Sequence, residues 1–296
     1  MKLLRRIGLV LGGLVALVAV LLVALLVTGW NLANEHEKNP VPELRVTPDS
    51  SLIARGDHIA RMVCSNCHGE SHTPPLAGGS EDYFVIPGGP PIGHLFAPNI
   101  TPGGRLALYS DGELSRAIRE GVNHEGRPML VMPSDQFHGM SDRDLAAMIA
   151  WLRAQPAVSH EVPRKQLTPV AYLILGLHQF ETSHMLPVPR PIPDVPEGMS
   201  AAYGEYIVGM LGCRSCHGSD LKGGHKGQFP PLGPNLLALV AAHDVGQFEL
   251  AVRKGISARD GHALDPEGMP YRTYANLTDT EVGAVYAYLQ TQAARH

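Results

Sequence analysis

The chain has 296 residues, 24 basic and 28 acidic side chains, and a formal net charge of −4. With 44% apolar and 18% charged residues it is not a disordered chain, and its length suits about two domains. The mildly acidic balance argues against a general nucleic-acid binder, which needs a basic face, and 4 cysteines are too few for a disulfide-dense secreted scaffold.

The first element is apolar. Residues 7–27, IGLVLGGLVALVAVLLVALLV, form a run of 21 without a charge. At about 1.5 Å per residue a helix over them reaches about 32 Å, enough for a hydrocarbon core of about 30 Å. Lys2, Arg5 and Arg6 precede the run and Trp30 follows it. The positive-inside rule then places the N-terminus in the cytoplasm and the chain beyond about residue 30 outside. A cleaved signal peptide would carry an apolar stretch of about 7–15 residues and a small-x-small site. Here the run is longer, and Leu32-Ala33-Asn34 is only a poor site. Residues 1–30 therefore read as a retained single-pass anchor whose partner is membrane lipid.

A first unit follows over residues 50–156. A short helical stretch near 52–63 leads to Cys64-Ser65-Asn66-Cys67-His68. Next come Pro98-Asn99-Ile100 and a short helix, LSRAIREGV, ending at Gly121. Its last helix, MSDRDLAAMIAWLRAQ over 140–155, opens on Ser141 with Asp144 three residues later, a weak capping box. Leu145, Met148, Ile149 and Leu152 fall at helical spacing and form its buried face.

Residues 157–197 are a Pro-rich linker. Its end, PVPRPIPDVP over 187–196, should be extended and polyproline-like. The apolar segment Val170 to Leu177 is too short to span a membrane; it can pack within the protein, which is the expectation, lie at the membrane surface or meet a partner.

The second unit, 198–296, repeats the first landmark by landmark. Its helical stretch near 200–211 leads to Cys213-Arg214-Ser215-Cys216-His217. Pro234-Asn235-Leu236 follows, then FELAVRKGI with Gly255 at its end. The last helix, LTDTEVGAVYAYLQTQ, has the capping box Thr278 to Glu281 and buries Val282, Val285, Tyr286 and Leu289. Trp151 and Tyr288 each precede the last Leu of their helix. Four landmarks in one order make two homologous domains.

The pentapeptides carry the chemistry. C-x-x-C-H is the attachment motif of c-type heme: two thiols form thioethers to the vinyl groups, and the adjacent imidazole binds the iron. The two motifs use all 4 cysteines, which predicts two covalent hemes held by Cys64, Cys67, Cys213 and Cys216, with His68 and His217 as axial ligands. A disulfide or a shared zinc leaves the repeated His unexplained. Paired zinc motifs usually lie about 15–20 residues apart, and thioredoxin chemistry needs a βαβ setting that the flanks do not offer.

A sixth ligand is expected downstream, and cytochromes c use Met. Met269 is the only Met after Cys216 and lies 9 residues before the cap Thr278. In the first unit Met129, Met132, Met140 and Met148 compete, with His124 and His138 beside them, as His262 stands near Met269. Register selects Met132, which lies 9 residues before Ser141 and, like Met269, precedes a Pro. A ligating imidazole usually donates its other N–H to a carbonyl, and Pro98 and Pro234 are the candidates. His68 to Met132 spans 64 residues but His217 to Met269 only 52. The extra residues fall in the Pro/Gly-rich stretch from Ser71 to Phe96, a surface loop that could shape partner contact or heme exposure but reads first as tolerated decoration.

These features resemble class I cytochrome c domains in tandem: a helix into C-x-x-C-H, a Pro-Asn-apolar turn, Met-Pro and a capped C-terminal helix. More narrowly, APNITPGG with the MSDRDLAA helix is similar to the cytochrome subunit of membrane-bound alcohol and gluconate dehydrogenases, with two rather than three heme motifs. The resemblance implies a small all-α fold around each heme and a place on the bacterial cytoplasmic (inner) membrane, domains on the periplasmic side. The expected function is electron transfer between a redox protein donor and acceptor, as a shuttle or as a complex subunit, without bond chemistry on a substrate. The rival class is a diheme enzyme, such as a peroxidase or a thiosulfate-oxidising cytochrome, with one open or unusually ligated heme.

Overall fold

A computed structural model describes residues 2–86, 88–225, 232–266 and 268–295. Helix α1 (Lys2–Asn34) is long and apolar enough to cross a membrane by length and composition. The first helical unit contains α2 (Ser50–Ile59), a π turn over Ala60–Cys64, α3 (Ser65–His68), α4 (Asp111–Glu120), α5 (Ser134–Phe137) and α6 (Asp142–Ala154). After α7 (Pro169–Gly176) the second contains α8 (Ala201–Met210), α9 (Cys213–His217), α10 (Leu236–Ala242), α11 (Val245–Lys254), α12 (Tyr271–Tyr274) and α13 (Asp279–Ala293). The strand content is slight: β1 (Gly93–His94) pairs antiparallel with β2 (Gln166–Leu167).

Each unit is built on one crossing of its first and last helices, α2 on α6 and α8 on α13. Glycine makes both crossings close. A Cβ on Gly56 would lie 2.1 Å from the Ala147 carbonyl oxygen, and one on Gly204 would lie 1.9 Å from that of Ala284. The next residue in each first helix takes a bond from the last helix: Trp151 Nε1 donates to Asp57 Oδ1 (3.0 Å), and the Tyr288 hydroxyl to Glu205 (3.3 Å). Ile59, Met62, Leu145, Met148 and Ile149 fill the first core; Tyr203, Ile207, Val282, Val285 and Leu289 fill the second.

The capping signals read from the sequence differ in outcome, and chain length explains why. Glu281 reaches back to the Thr278 amide (2.8 Å) while Thr278 accepts from the Glu281 amide, a complete box. Asp144 is one methylene shorter. Its amide uses Ser141 Oγ, but its carboxylate turns to Arg55, with bonds of 2.8 and 2.9 Å.

The two units face each other reciprocally. His58 on α2 lies 2.8 Å from Glu281 of the other unit, while the Tyr206 hydroxyl on α8 donates to Asp144 (2.8 Å). His58 and Tyr206 each sit two residues after the crossing glycine of their unit. The exchange has the form of a two-fold interface made within one chain. Burial alone would push the Asp144 and Glu281 carboxyls up; the Arg55 fork on one and the His58 contact on the other outweigh it, and both end below the ordinary carboxylate range. A folded-state pKa below the unfolded one gives stability that is complete above about pH 4–5 and is lost as pH falls through the lowered value. Asp144→Asn should therefore cost about 3 kcal/mol near pH 7 and flatten the acid limb of the stability profile, read by urea unfolding from about pH 3 to 7. An unchanged acid limb would remove Asp144 from that role.

The linker 157–197 carries no helix or strand over 187–196, where most of its prolines fall, whereas Pro169 opens α7; the linker lies along the first unit. Ser183 N donates to Met129 O (2.7 Å), Met185 N to Glu120 O (2.9 Å), and Asp142 N to Ile192 O (3.1 Å). The apolar segment forms α7 and packs along the end of α1. The extra residues of the first unit do more than decorate it: they supply β1, and through it they are tied to the base of α7.

Candidate functional site

Each pentapeptide is presented by a short helix at the end of the unit's first helix. In the first unit the helix passes through its π turn straight into Cys64. In the second, Gly212 takes a left-handed conformation (φ 66°) before Cys213, a turn that favours glycine. All four cysteines are free thiols. Burial pushes the Cys64 and Cys213 thiols up to about 12 and raises those of Cys67 and Cys216. Such thiols are neutral at physiological pH, and without a modifying partner they would be inert.

The two histidines have equivalent surroundings. His68 Nδ1 lies 2.9 Å from Pro98 O, and His217 Nδ1 lies 2.7 Å from Pro234 O. A carbonyl can only accept, so Nδ1 carries the proton in both rings. Burial holds each imidazole below its ordinary pKa, against the opposing pull of the carbonyl. Each ring is therefore neutral and leaves Nε2 unprotonated, the state a metal-binding imidazole requires. The backbone fixes the carbonyls. Gly78 N donates to His68 O (2.9 Å) and Gly223 N to His217 O (2.8 Å), while Ile100 N binds Leu76 O and Leu236 N binds Leu221 O, both at 2.9 Å.

The loops to the methionines are closed alike. Gly121 and Gly255 end α4 and α11 with φ of 66° and 65°. Met129 N then donates to Gly121 O (2.8 Å), and Leu264 N to Gly255 O (2.7 Å). Met129 is thus the counterpart of Leu264. Past the methionines, Ser134 N donates to Met132 O (2.8 Å) and Tyr271 N to Met269 O (2.7 Å). Met140 and Met148 are core residues, each 2% exposed. His138 binds Arg119 O, and His262 is an exposed partner of Asp260.

In the second unit these groups line one shared cleft. Cys213, Cys216, His217 and Met269 line it with Phe248, Val252, Tyr274, Val285 and Leu289. Two thiols, a neutral imidazole, a thioether and otherwise apolar walls fit a c-type heme. In the first unit Cys64 and Met132 are half-buried against the core, and the oriented His68 offers the same donor types.

Sequence reasoning missed the contacts between the units at these motifs. Helix α5, just after Met132-Pro133, rests on the second pentapeptide: Gln136 Nε2 donates to Ser215 Oγ (3.4 Å), and its side chain lies against Gly212. Helix α12, just after Met269-Pro270, rests on the π turn before Cys64, where Asn276 Nδ2 donates to Arg61 O (3.3 Å). The crossing glycines did leave a signal, Gly-Asp-His-Ile in one first helix and Gly-Glu-Tyr-Ile in the other.

Residues 201–293 match the family model for cytochrome c. The chain is 28% identical over 260 residues to a nicotinate dehydrogenase subunit of Pseudomonas putida, covering 82% of this chain and 21% of that protein. It is 31% identical over 180 residues to the cytochrome c subunit of alcohol dehydrogenase (quinone) of Gluconobacter oxydans, covering 57% and 35%. It is 28% identical over 182 residues to the gluconate 2-dehydrogenase cytochrome c subunit of Pantoea cypripedii, covering 57% and 38%. The chain thus spans from 21% to 38% of the length of these relatives. Residues 201–293 form a cytochrome c domain, which implies covalently bound heme c, and the chain is homologous to proteins named as cytochrome subunits of dehydrogenases.

Proposed function

We propose that the chain is a membrane-anchored diheme c-type cytochrome that carries electrons on the outer, periplasmic face of the cytoplasmic membrane. When bound, heme c supplies an Fe(III)/Fe(II) couple. The observation that carries the reading is the repeated imidazole geometry, with His68 and His217 each held to a proline carbonyl. Cys64 with Cys67, and Cys213 with Cys216, would anchor one group each. His68 and His217 would be the proximal ligands, held in one tautomer by Pro98 and Pro234. Met132 and Met269 would fill the sixth position, so that neither site offers a substrate-binding vacancy. The apolar lining of the second site excludes water and disfavours the more charged, oxidised state.

Helix α1 would hold the chain in the bilayer beside membrane-bound donors and acceptors. The relatives are named as dehydrogenase subunits, and the proposed electron donor is a dehydrogenase partner with a further redox protein as acceptor. Helices α5 and α12, each directly after a Met-Pro segment, contact the cysteine segment of the other unit, which supports direct electron exchange within the chain. Replacing both Cys213 and Cys216 by Ala should halve the covalent heme measured by pyridine hemochrome. Undiminished heme would show that these thiols are not the second attachment site.

A further inference from the structure

The end of α1 is not a free tether. A Cβ on Gly29 would lie 1.8 Å from Tyr172 O, and one on Gly176 would lie 2.2 Å from Leu25 O. Helices α1 and α7 therefore touch backbone to backbone through a pair of glycines, the small-residue contact that lets membrane helices approach closely. The order of contacts gives the direction. Lys165, before α7, reaches Ala33 O at 3.5 Å; Tyr172 faces Gly29; Gly176 faces Leu25. Helix α7 thus runs antiparallel to α1, back toward the apolar run. Leu25 lies 2 residues inside the end of that run at Val27, so the tip of α7 is about 3 Å below that level.

The segment PVAYLILG has no charged residue, yet only Ala171, Leu175 and Gly176 are buried. Leu177 at its tip is 52% exposed. Three residues on, Phe180 meets Phe84 edge to face at 6.2 Å. Phe84 begins a loop whose next residues, Val85 and Ile86, are 64% and 40% exposed. This loop belongs to the stretch that lengthens the first unit. The β1–β2 pair and the bond from Thr168 Oγ1 to Pro91 O (2.7 Å) lock it to the base of α7. Exposed apolar side chains grouped on a rigid support mark an interaction surface. Its α7 part packs directly on α1.

We infer that α7 and the Phe84–Ile86 loop form a rim that enters the outer leaflet beside α1 and seats the first unit on the lipid surface. The inference rests on the reading of α1 as a membrane anchor. It makes the first unit a fixed fixture of the bilayer instead of a domain swinging on a leash, and it gives the extra residues of that unit a task that the second does not share.

The test uses the full-length, heme-loaded protein in phosphatidylcholine–phosphatidylglycerol vesicles. Nitroxide labels are placed singly through Leu14→Cys, Val85→Cys and Leu177→Cys, all exposed positions. Each label is scored for collision with oxygen, which partitions into lipid, against a water-soluble nickel chelate. Lipid-type accessibility at all three positions is the expected result. Lipid-type accessibility at position 14 with water-type accessibility at 85 and 177 overturns the rim and leaves the anchor standing. Labels at 85 and 177 shielded from both reagents would place a protein there and also overturn it. Water-type accessibility at position 14 overturns the anchor and the rim together.

Discussion

Gly204→Ala should lower the stability of the second unit by about 3 kcal/mol or more, whereas Gly209→Ala, five residues along the same helix, should raise it by about 0.5–1 kcal/mol. Alanine is the better helix former, so propensity alone predicts a gain at both positions. The surroundings reverse the sign at one of them. A Cβ on Gly204 would lie 1.9 Å from the Ala284 carbonyl oxygen and 2.8 Å from Tyr288 Cβ, while one on Gly209 would meet nothing within 4 Å. Relief at Gly204 requires α8 and α13 to separate by roughly an ångström or more along the whole crossing. That loosens Tyr203, Ile207, Val285 and Leu289, and it shifts Glu281 away from His58. Thermal unfolding followed by circular dichroism checks the pair. A midpoint that rises in both variants would mean that the crossing is not set by glycine.

Met269→Ala should leave the heme content unchanged, lower the potential of the second heme by on the order of 0.1 V, and remove one sulfur-to-iron charge-transfer absorption from the oxidised protein. Attachment depends on Cys213 and Cys216, which the substitution does not touch. The thioether favours reduced iron, so its loss favours the oxidised state. The cavity that Met269 shares with His217 and both cysteines is the reason to expect the effect here and not at a core methionine such as Met148. Redox titration with optical detection measures it. Unchanged potential and spectrum would remove Met269 from the coordination sphere.

Much of this arrangement could be read from the chain because it is coded locally. The spacing Cys213-x-x-Cys216-His217 fixes its own chemistry. The Thr278–Glu281 box marks the start of α13 within one turn. The matching distances from Met132 to Ser141 and from Met269 to Thr278 single out two Met-Pro segments among ten methionines. The unread features are tertiary. Asp144 has the sequence signature of a weak cap partner, but its short side chain is captured by Arg55, 89 residues away. His58 is one histidine among 15 in the sequence, yet it meets Glu281 across 223 residues. The apolar segment after Thr168 finds its partner in the tip of α1, and the contact is set by Gly29 and Gly176, which no periodicity connects. The Gly-acid-aromatic-Ile pattern shared by α2 and α8 is legible in the chain and marks both helix crossings.

Two hemes per chain require that both pentapeptides, and not only the one within 201–293, carry the group. The mass of the intact denatured chain, purified from a host with the heme-attachment machinery and combined with peptide mapping, decides this directly. The expected result is a gain of two heme masses, one on the Cys64–Cys67 peptide and one on the Cys213–Cys216 peptide. A gain of one heme mass, with Cys64 and Cys67 recovered as thiols, would refute the diheme reading.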